Sequence, residues 1–559
     1  MNNIKLIGTG KSFPIHTRLG GNFQYNNVVN KAFTKYLSSD KIHKITTGYR
    51  RSEYTEERLN EDYLRGDIPY HKVIKDEHYY KALNVTNRLF SPKEKIKVVH
   101  YTDLRLYPWT LPTSVEAPFS ESEFYKKVVD LKYNLGINTD TRMTFHNLYN
   151  EVFVANRTNI HRIKEGETKD IYGNDLKYWN TAHARAHLVK EDDPDKIRMV
   201  FGVPKLLLQA EMMFLWPIFN HLLNLEEHSP MLWGFETFKG GWYKLRNFFS
   251  KHHPLMKTIL SLDWRQFDKR ARFEVIDDIH DMWHSWFDFE HGYWPTYQYP
   301  NTETDPKRIE NLWQWMCNAI KHTPDKLPNG NMYQRQHAGI ASGFLQTQLL
   351  DSCYNMVMVL TVLSRMGFDI DKIAIKVQGD DSLVSLLTTI PSIVHQPFLD
   401  TFAQYAEEYF GAILHTKKSK VHSSFEDVHV LGFKNRNGHP YRDPEELLAS
   451  LLYPERATDL TRLMARAIGI AYANCGTNKS VYAVCEDIFQ YLESEGFTPN
   501  PTGLPDMIKY MYIDRDIPSQ LQLVNQFPSF FDTFKDLTNT DFRNESQKER
   551  FWPKEHFIY

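Results

Sequence analysis

The chain has 559 residues, 42% of them apolar and 14% aromatic, which is enough to bury more than one core-sized unit. Its 67 Lys and Arg nearly cancel its 69 Asp and Glu, and the formal net charge of -2 excludes a protein that coats nucleic acid by bulk positive charge. Cys317, Cys353, Cys475 and Cys485 show no Cys-x-x-Cys spacing, so neither a zinc cluster nor a disulfide framework is expected and a reducing compartment is the default. The start, Met1-Asn2-Asn3-Ile4-Lys5, has no signal-peptide core. The longest largely apolar run, Met356 to Leu363, falls short of the roughly 20 residues a bilayer span needs, so no membrane anchor is expected.

Residues 1–50 hold eight Lys or Arg against the single acid Asp40, so basic charge is local and suits a nucleic-acid channel, packaged RNA or a partner protein. Ile4 to Ile7 reads as a strand, and Gly8-Thr9-Gly10-Lys11-Ser12 after it resembles the end of a phosphate-binding P-loop. Lys5 stands where that loop's opening glycine belongs, and Pro14 falls where its helix should be established, which argues against an ATPase. Asp195 to Lys205 alternates so that Lys196 and Arg198 share one side of a strand, as a solvated face or a phosphate-facing pair.

Thr258 to Leu262 reads as a strand ending in Asp263, followed by Trp264-Arg265-Gln266-Phe267-Asp268. A helix then carries Phe273, Ile276, Ile279, Trp283 and Trp286 in one core-facing stripe. Asn301 to Pro306 and Pro324 to Asn331 read as polar loops. Ser342 and Gly343 open a helical pattern running to about Met366, in which Thr347, Asp351 and Asn355 are four apart and form one polar row. Such a row needs partners, either an internal network or a polar ligand.

Ile373 to Val377 and Leu383 to Leu387 read as a hairpin whose tip is Gly379-Asp380-Asp381-Ser382, with Ile373, Ile375 and Val377 alternating against Ala374, Lys376 and Gln378 as in a half-buried strand. Two adjacent ionised carboxylates repel unless a cation lies between them, and magnesium or manganese supplies one; an ordinary acidic turn is the alternative. If the strand before Asp263 neighbours this hairpin, Asp263 and Asp380 meet above the sheet edge as a cage for two ions about 4 Å apart, which implies phosphoryl transfer. Phe410 to Thr416 leads into a basic cluster of Lys417, Lys418 and Lys420. Val430 to Lys434 and Gly438 to Tyr441 flank Asn435-Arg436-Asn437, with Asn437-Gly438 a hairpin signal, and from Pro444 the pattern is helical. No internal repeat or low-complexity tract is present.

In order, Asp263 with Asp268, Ser342-Gly343 with Thr347, and Gly379-Asp380-Asp381 resemble motifs A, B and C of viral RNA-dependent RNA polymerases. The wording of Leu262 to Ala271 and of Gly343 to Ser352 resembles the partitiviruses, double-stranded RNA viruses, most of all their alpha group. The resemblance covers about residues 196 to 435. It implies an α+β right-hand polymerase of fingers, palm and thumb, with an antiparallel palm sheet packed on helices and a closed fingers-thumb ring. An N-terminal bridge and fingers would take residues 1–255, the palm 256–284 and 336–435, a fingers insertion 285–335, and the thumb and C-terminal segment 436–559.

The same resemblance implies roles. Asp263, Asp380 and Asp381 are ligands of two Mg2+ or Mn2+ ions. Lys196 and Arg198 resemble motif F, which meets the triphosphate, and Asp268, Ser342, Gly343, Thr347 and Asp351 form the set that receives the incoming sugar. Lys417 or Lys420, in a segment resembling motif D, gives a proton to departing pyrophosphate, and residues 430–441 resemble motif E, the primer-side hairpin. Many positive-strand RNA virus polymerases carry Asn where this chain has Asp351, and an acid beside Asp268 requires that one be protonated or bridged by Ser342 or a water.

The implied function is RNA synthesis from NTPs on a single- or double-stranded RNA template. The enzyme is expected to work as a monomer inside the particle in the host cytoplasm, with capsid protein as partner and no membrane, transcribing and replicating a segmented double-stranded genome. A P-loop-like NTPase and a non-catalytic RNA-binding structural protein are the rivals from other classes. Reverse transcriptase is the rival within the polymerases, and Asp268 with Ser342-Gly343 argues against it because a ribose 2′-hydroxyl finds polar partners there.

Overall fold

A computed structural model describes residues 2–15, 21–53, 55–252, 257–455, 458–505 and 523–558. Of the residues weighed above, Met1, Arg18 and the border at residues 255 and 256 lie outside them. Strand β1 (Ile4–Thr9) is the edge of a five-stranded sheet, paired antiparallel with β6 (Asn331–Arg335), which is followed by β5 (Asp325–Lys326), β2 (Asn180–Ala186) and β3 (Ile197–Gly202). The segment Pro324 to Asn331, expected to be a loop, therefore contributes a strand and its turn to this sheet.

The P-loop reading fails here for a geometric reason. Residues 10–15 have no helix, and their amides extend the sheet: Gly10 N–H donates to Gly330 O at 2.7 Å and Phe13 N–H to Pro328 O at 2.9 Å. A phosphate cradle needs those amides free and a helix behind them.

Helix α1 (Phe23–Tyr36) packs on α5 (Pro444–Leu452), α6 (Leu460–Ala473) and α7 (Lys479–Ser494), so residues 23–36 are a folded part of the C-terminal helical layer rather than a free basic arm. Tyr25, Val28, Val29, Ala32 and Phe33 make the buried stripe, and Lys35 pairs with Asp487 at 2.8 Å. Helix α2 (Lys205–Asn224) is apolar all round and almost wholly buried. It is long and apolar enough to span a bilayer by composition, yet it is the central core helix. The expectation from Met356 to Leu363 as the longest apolar run is corrected here, since Lys205–Asn224 is the longer apolar helix. Helix α3 (Phe273–His284) buries the expected stripe Phe273, Ile276, Ile279 and Trp283, with Trp286 buried just beyond its end.

A four-stranded antiparallel sheet lies between the two cores, in the order β7 (Ala374–Gln378), β8 (Asp381–Leu386), β4 (Thr258–Leu262) and β9 (Lys420–His422). Leu260, Leu262, Ile375, Val377 and Val384 belong to the core that includes α4 (Thr347–Arg365), whereas Ile259, Ala374 and Leu383 belong to the core of α5 to α7. With both faces covered, β7 is buried over Ala374–Val377 and not half-buried as its alternation suggested. Lys376 is accommodated because its ammonium donates to the carbonyls of Glu227 (2.9 Å) and Ser229, and lies over the rings of Phe235 and Phe248 at 4.5 and 3.9 Å. Burial pushes its pKa down to about 7.

All four cysteines are buried as free thiols. The stretch expected as one strand from Val430 to Lys434 breaks at Leu431 and Gly432, both at positive φ (53° and 76°). They turn β10 (His429–Val430) back onto β11 (Phe433–Arg436), which turns again at Asn437-Gly438 into β12 (His439–Tyr441). The second turn matches the sequence signal.

Candidate active site

The register of the central sheet assembles the acids. Ser382 lies opposite Leu262, so Asp381 continues opposite Asp263, and Asp380 occupies the two-residue turn between β7 and β8 with Gly379 at φ 61°. Buried polar groups hold this tip on α4. Ser352 Oγ accepts Gly379 N–H at 2.8 Å, while Asn355 Nδ2 donates to the carbonyls of Gly379 (3.0 Å) and Asp381 (3.3 Å). Asn355 Oδ1 in turn accepts Trp264 Nε1–H at 3.0 Å. One end of the polar row foreseen in the sequence is therefore an internal clamp that ties both acid-bearing strands to one helix.

Asp263 is fixed from the other side. Its N–H donates to Ser419 Oγ at 3.0 Å, and its carbonyl accepts His415 N–H at 2.8 Å. Ser419 and His415 were not foreseen; they sit in the segment read only for its lysines. Lys417, Lys418 and Lys420 are all exposed, Lys417 and Lys418 in the turn before β9 and Lys420 opposite Ser261.

The helix expected from Ser342 begins only at Thr347. Residues 342–346 form a turn instead, because they are drawn against neighbours. A Cβ on Gly343 would meet Phe201 O at 1.9 Å, Ser342 Oγ donates to Met199 O at 3.2 Å, and Thr347 Oγ1 donates to Ala341 O at 2.7 Å. The Thr347 hydroxyl proton is thus committed to its own turn, and Gly343 acts by letting the turn close on β3.

Arg198 on that strand and Lys196 immediately before it are both exposed. Arg185 on β2 stands directly opposite Arg198, and Arg51 joins them. Burial and the four cations Lys196, Arg198, Arg51 and Arg185 push His187 down to about 4. The alternation of His183, Arg185 and His187 against Ala182, Ala184 and Ala186 carried this signal in the sequence and was not read.

The acids bear uncompensated charge. Burial, with Asp380 and Asp263 close by, pushes Asp381 up to about 7 against the Leu431 N–H that faces it. Asp380 is raised by burial and by Asp268 and Asp263, with its own N–H and Arg198 opposing. Asp351 is raised well above the carboxylate range by burial and then by Asp268 and Asp380, and its Oδ1 has no hydrogen-bond partner among the described residues. Asp268 is raised too, by burial, with Lys269 and Arg335 opposing. Asp263, Asp268 and Asp380 are nonetheless exposed, so protein crowds the Asp268 and Asp380 carboxyls on one side while water reaches the other.

Crowded carboxylates, one with an orphaned oxygen, are a donor set suited to hard divalent cations. Among the described residues, however, no three His, Cys, Asp or Glu side chains converge tightly enough to make a ready-formed metal site. The anticipated set Asp263, Asp380 and Asp381 is an open carboxylate neighbourhood, as like charges dictate, and not a closed cage.

Acids at the tip of an antiparallel sheet, with Arg198 close enough to oppose the rise of Asp380, are the arrangement a polymerase-class enzyme would need. A profile of the family described as viral RNA-dependent RNA polymerase matches residues 153–488, more than half of the chain, and the chain belongs to that family. It is an RNA-directed RNA polymerase with the right-hand fold of mixed helix and sheet. It is 34% identical to the RNA-directed RNA polymerase of White clover cryptic virus 1 (isolate Boccardo/2004) over 95% of this chain and 92% of that one. It is 27% identical to the RNA-directed RNA polymerase of Atkinsonella hypoxylon virus (isolate 2H) over 70% of this chain and 64% of the relative.

Proposed function

We propose that this polymerase joins ribonucleotides by two-metal-ion nucleotidyl transfer, with Asp263 and Asp380 as principal ligands and Asp381 as a third. The observation that carries this reading is the β8–β4 register, which sets Asp263 beside Asp380-Asp381 where every acid with a resolved shift is pushed upward. Bound there, magnesium or manganese would supply positive charge to the attacking 3′-hydroxyl and the triphosphate oxygens. Lys196 and Arg198, with Arg185, face the triphosphate. Asp268, Ser342, Gly343, Thr347 and Asp351 shape the sugar pocket; Ser342 offers lone pairs, and a protonated Asp351 offers a donor to a 2′-hydroxyl. Lys417 or Lys420 protonates departing pyrophosphate.

The motif wording at Leu262 to Ala271 and Gly343 to Ser352 supports a partitivirus of the alpha group. On that reading the enzyme acts as a monomer within the particle in the host cytoplasm, beside capsid protein, on a segmented double-stranded genome. A closed fingers-thumb ring, with the domain division given above, is supported by β1 lying in one sheet while α1 packs on α5 to α7. The C-terminal residues also return to the other core: Trp216 Nε1–H donates to Phe551 O at 2.9 Å, and Ile558 N–H to Pro295 O at 3.0 Å.

The test is magnesium-dependent incorporation of ribonucleotides on an RNA template, which Asp380→Asn should abolish. Wild-type incorporation by Asp380→Asn, or incorporation that needs no divalent metal, would overturn the assignment of Asp380 as a metal ligand.

A further inference from the structure

The turn that carries Ser342 and Gly343 is held from behind by groups that never reach the cleft. Glu211, on α2 and 1% exposed, makes no ion pair among the described residues. Its Oε2 accepts Leu345 N–H at 2.9 Å, and its Oε1 accepts Gln346 Nε2–H at 2.7 Å. Gln346, fully buried, precedes the first turn of α4, and its Oε1 lies 2.7 Å from His280 Nε2 on α3.

The chemistry fixes each role. Both Glu211 oxygens accept N–H groups, so the Gln346 amide nitrogen faces Glu211 and its oxygen faces His280. His280 must then carry its proton on Nε2, which leaves Nδ1 without a partner among the described residues, as observed. Burial pushes His280 down to about 4, so the ring is neutral and has a single N–H to give.

We infer that Glu211 is a positioning residue for nucleotide selection: through Leu345 and Gln346 it fixes the Ser342–Gln346 turn against β3, with His280 setting the direction of the relay. The inference rests on the proposed sugar-reading role of that turn. Burial raises Glu211 to about 8, and these same donors oppose the rise, so they favour the ionised form that accepts from all of them.

The relay has one property that plain packing lacks, because it can be interchanged. In Glu211→Gln the single amide oxygen can accept from Leu345 N–H or from the Gln346 amide but not from both, and with Leu345 served the two side-chain amides meet donor to donor. Flipping Gln346 then forces the His280 proton onto Nδ1, where no acceptor waits. In Gln346→Glu two carboxylates face each other. In the double variant Glu211→Gln with Gln346→Glu, Gln at 211 accepts Leu345 N–H and donates to Glu at 346, which still accepts His280 Nε2–H, so the three bonds of the relay are restored and only the weaker contact of the Gln346 amide with Met316 Sδ (3.3 Å) is lost.

The test measures kcat and KM for a ribonucleotide and for its 2′-deoxy counterpart in the full chain, with melting temperature alongside. Each single variant should raise KM for the ribonucleotide and cut ribo-over-deoxy selection by about tenfold, with kcat changed less, and the double variant should return both to within about twofold of wild type. A folded Glu211→Gln variant with wild-type KM and selection overturns the inference. Should the single variants fail to fold, the double variant decides: a folded enzyme with wild-type KM and selection supports the relay, and an unfolded or unselective one overturns it.

Ser342→Ala separates the two readings. If it loses selection while Glu211→Gln does not, the turn reads the sugar and Glu211 does not position it. If Ser342→Ala changes nothing, the sugar-reading role falls, and the Glu211 inference is decided by the KM rise and its reversal in the double variant.

Discussion

Gly343→Ala is the smallest change that tests how the site is put together. The added methyl would lie 1.9 Å from Phe201 O, 2.8 Å from Phe201 C and 2.9 Å from Val203 Cγ2, two of them backbone atoms of one segment. Ordinary carbon contacts need about 3.5 Å, so the turn and β3 must part by more than about an ångström, since a backbone carbonyl cannot rotate away as a side-chain tip can. Overpacking of this kind costs about 1–3 kcal/mol of stability. The functional cost should be larger than the stability cost implies, because β3 carries Arg198 and the turn carries Ser342, and the two sides of the proposed nucleotide pocket move apart together. A displacement near an ångström lowers kcat/KM by about 100-fold. Single-nucleotide extension on a primed RNA template, with thermal unfolding of the same preparation, measures both. A Gly343→Ala enzyme with wild-type kcat/KM would refute the close approach of turn and strand as the feature that builds the pocket.

Asn355→Ala removes both donors to the Gly379 and Asp381 carbonyls and orphans Trp264 Nε1. It should destabilise the protein by about 1–3 kcal/mol and lower kcat more than KM, and equal stability by chemical denaturation would show that the clamp carries no load. Asp381, pushed up to about 7, must shed its proton to take a cation. Apparent Mg2+ affinity should therefore weaken by up to about tenfold per pH unit below 7 and level off above it, and titrations flat from pH 5.5 to 8 would contradict the assignment. Asp351 is raised in the folded chain, so its contribution to stability is present below the unfolded carboxylate pKa and fades as pH rises toward the folded value. Asp351→Asn should accordingly gain melting temperature relative to wild type at pH 8 more than at pH 5; an equal difference at both values would count against a buried, proton-holding Asp351.

Much of the chemistry was legible in the chain because it is local. Strand endings at Asp263 and Asp380, the glycine that permits the tip, the stripe of α3 and the Asn437-Gly438 turn all follow from period and backbone freedom within a few residues. The alternation of β7 misled, because period 2 reports which residues share a face but not what covers it; a second core and the carbonyls of Glu227 and Ser229 closed over Lys376. The start of α4 misled in the same way, since Glu211, Phe201 and Met199, more than a hundred residues upstream, capture the groups that would otherwise have begun the helix. Covalent neighbourhood thus determined which residues have the chemistry. Only the folded chain decided which become desolvated, which are clamped and which remain exposed, because burial and hydrogen-bond partners depend on segments far apart in the sequence.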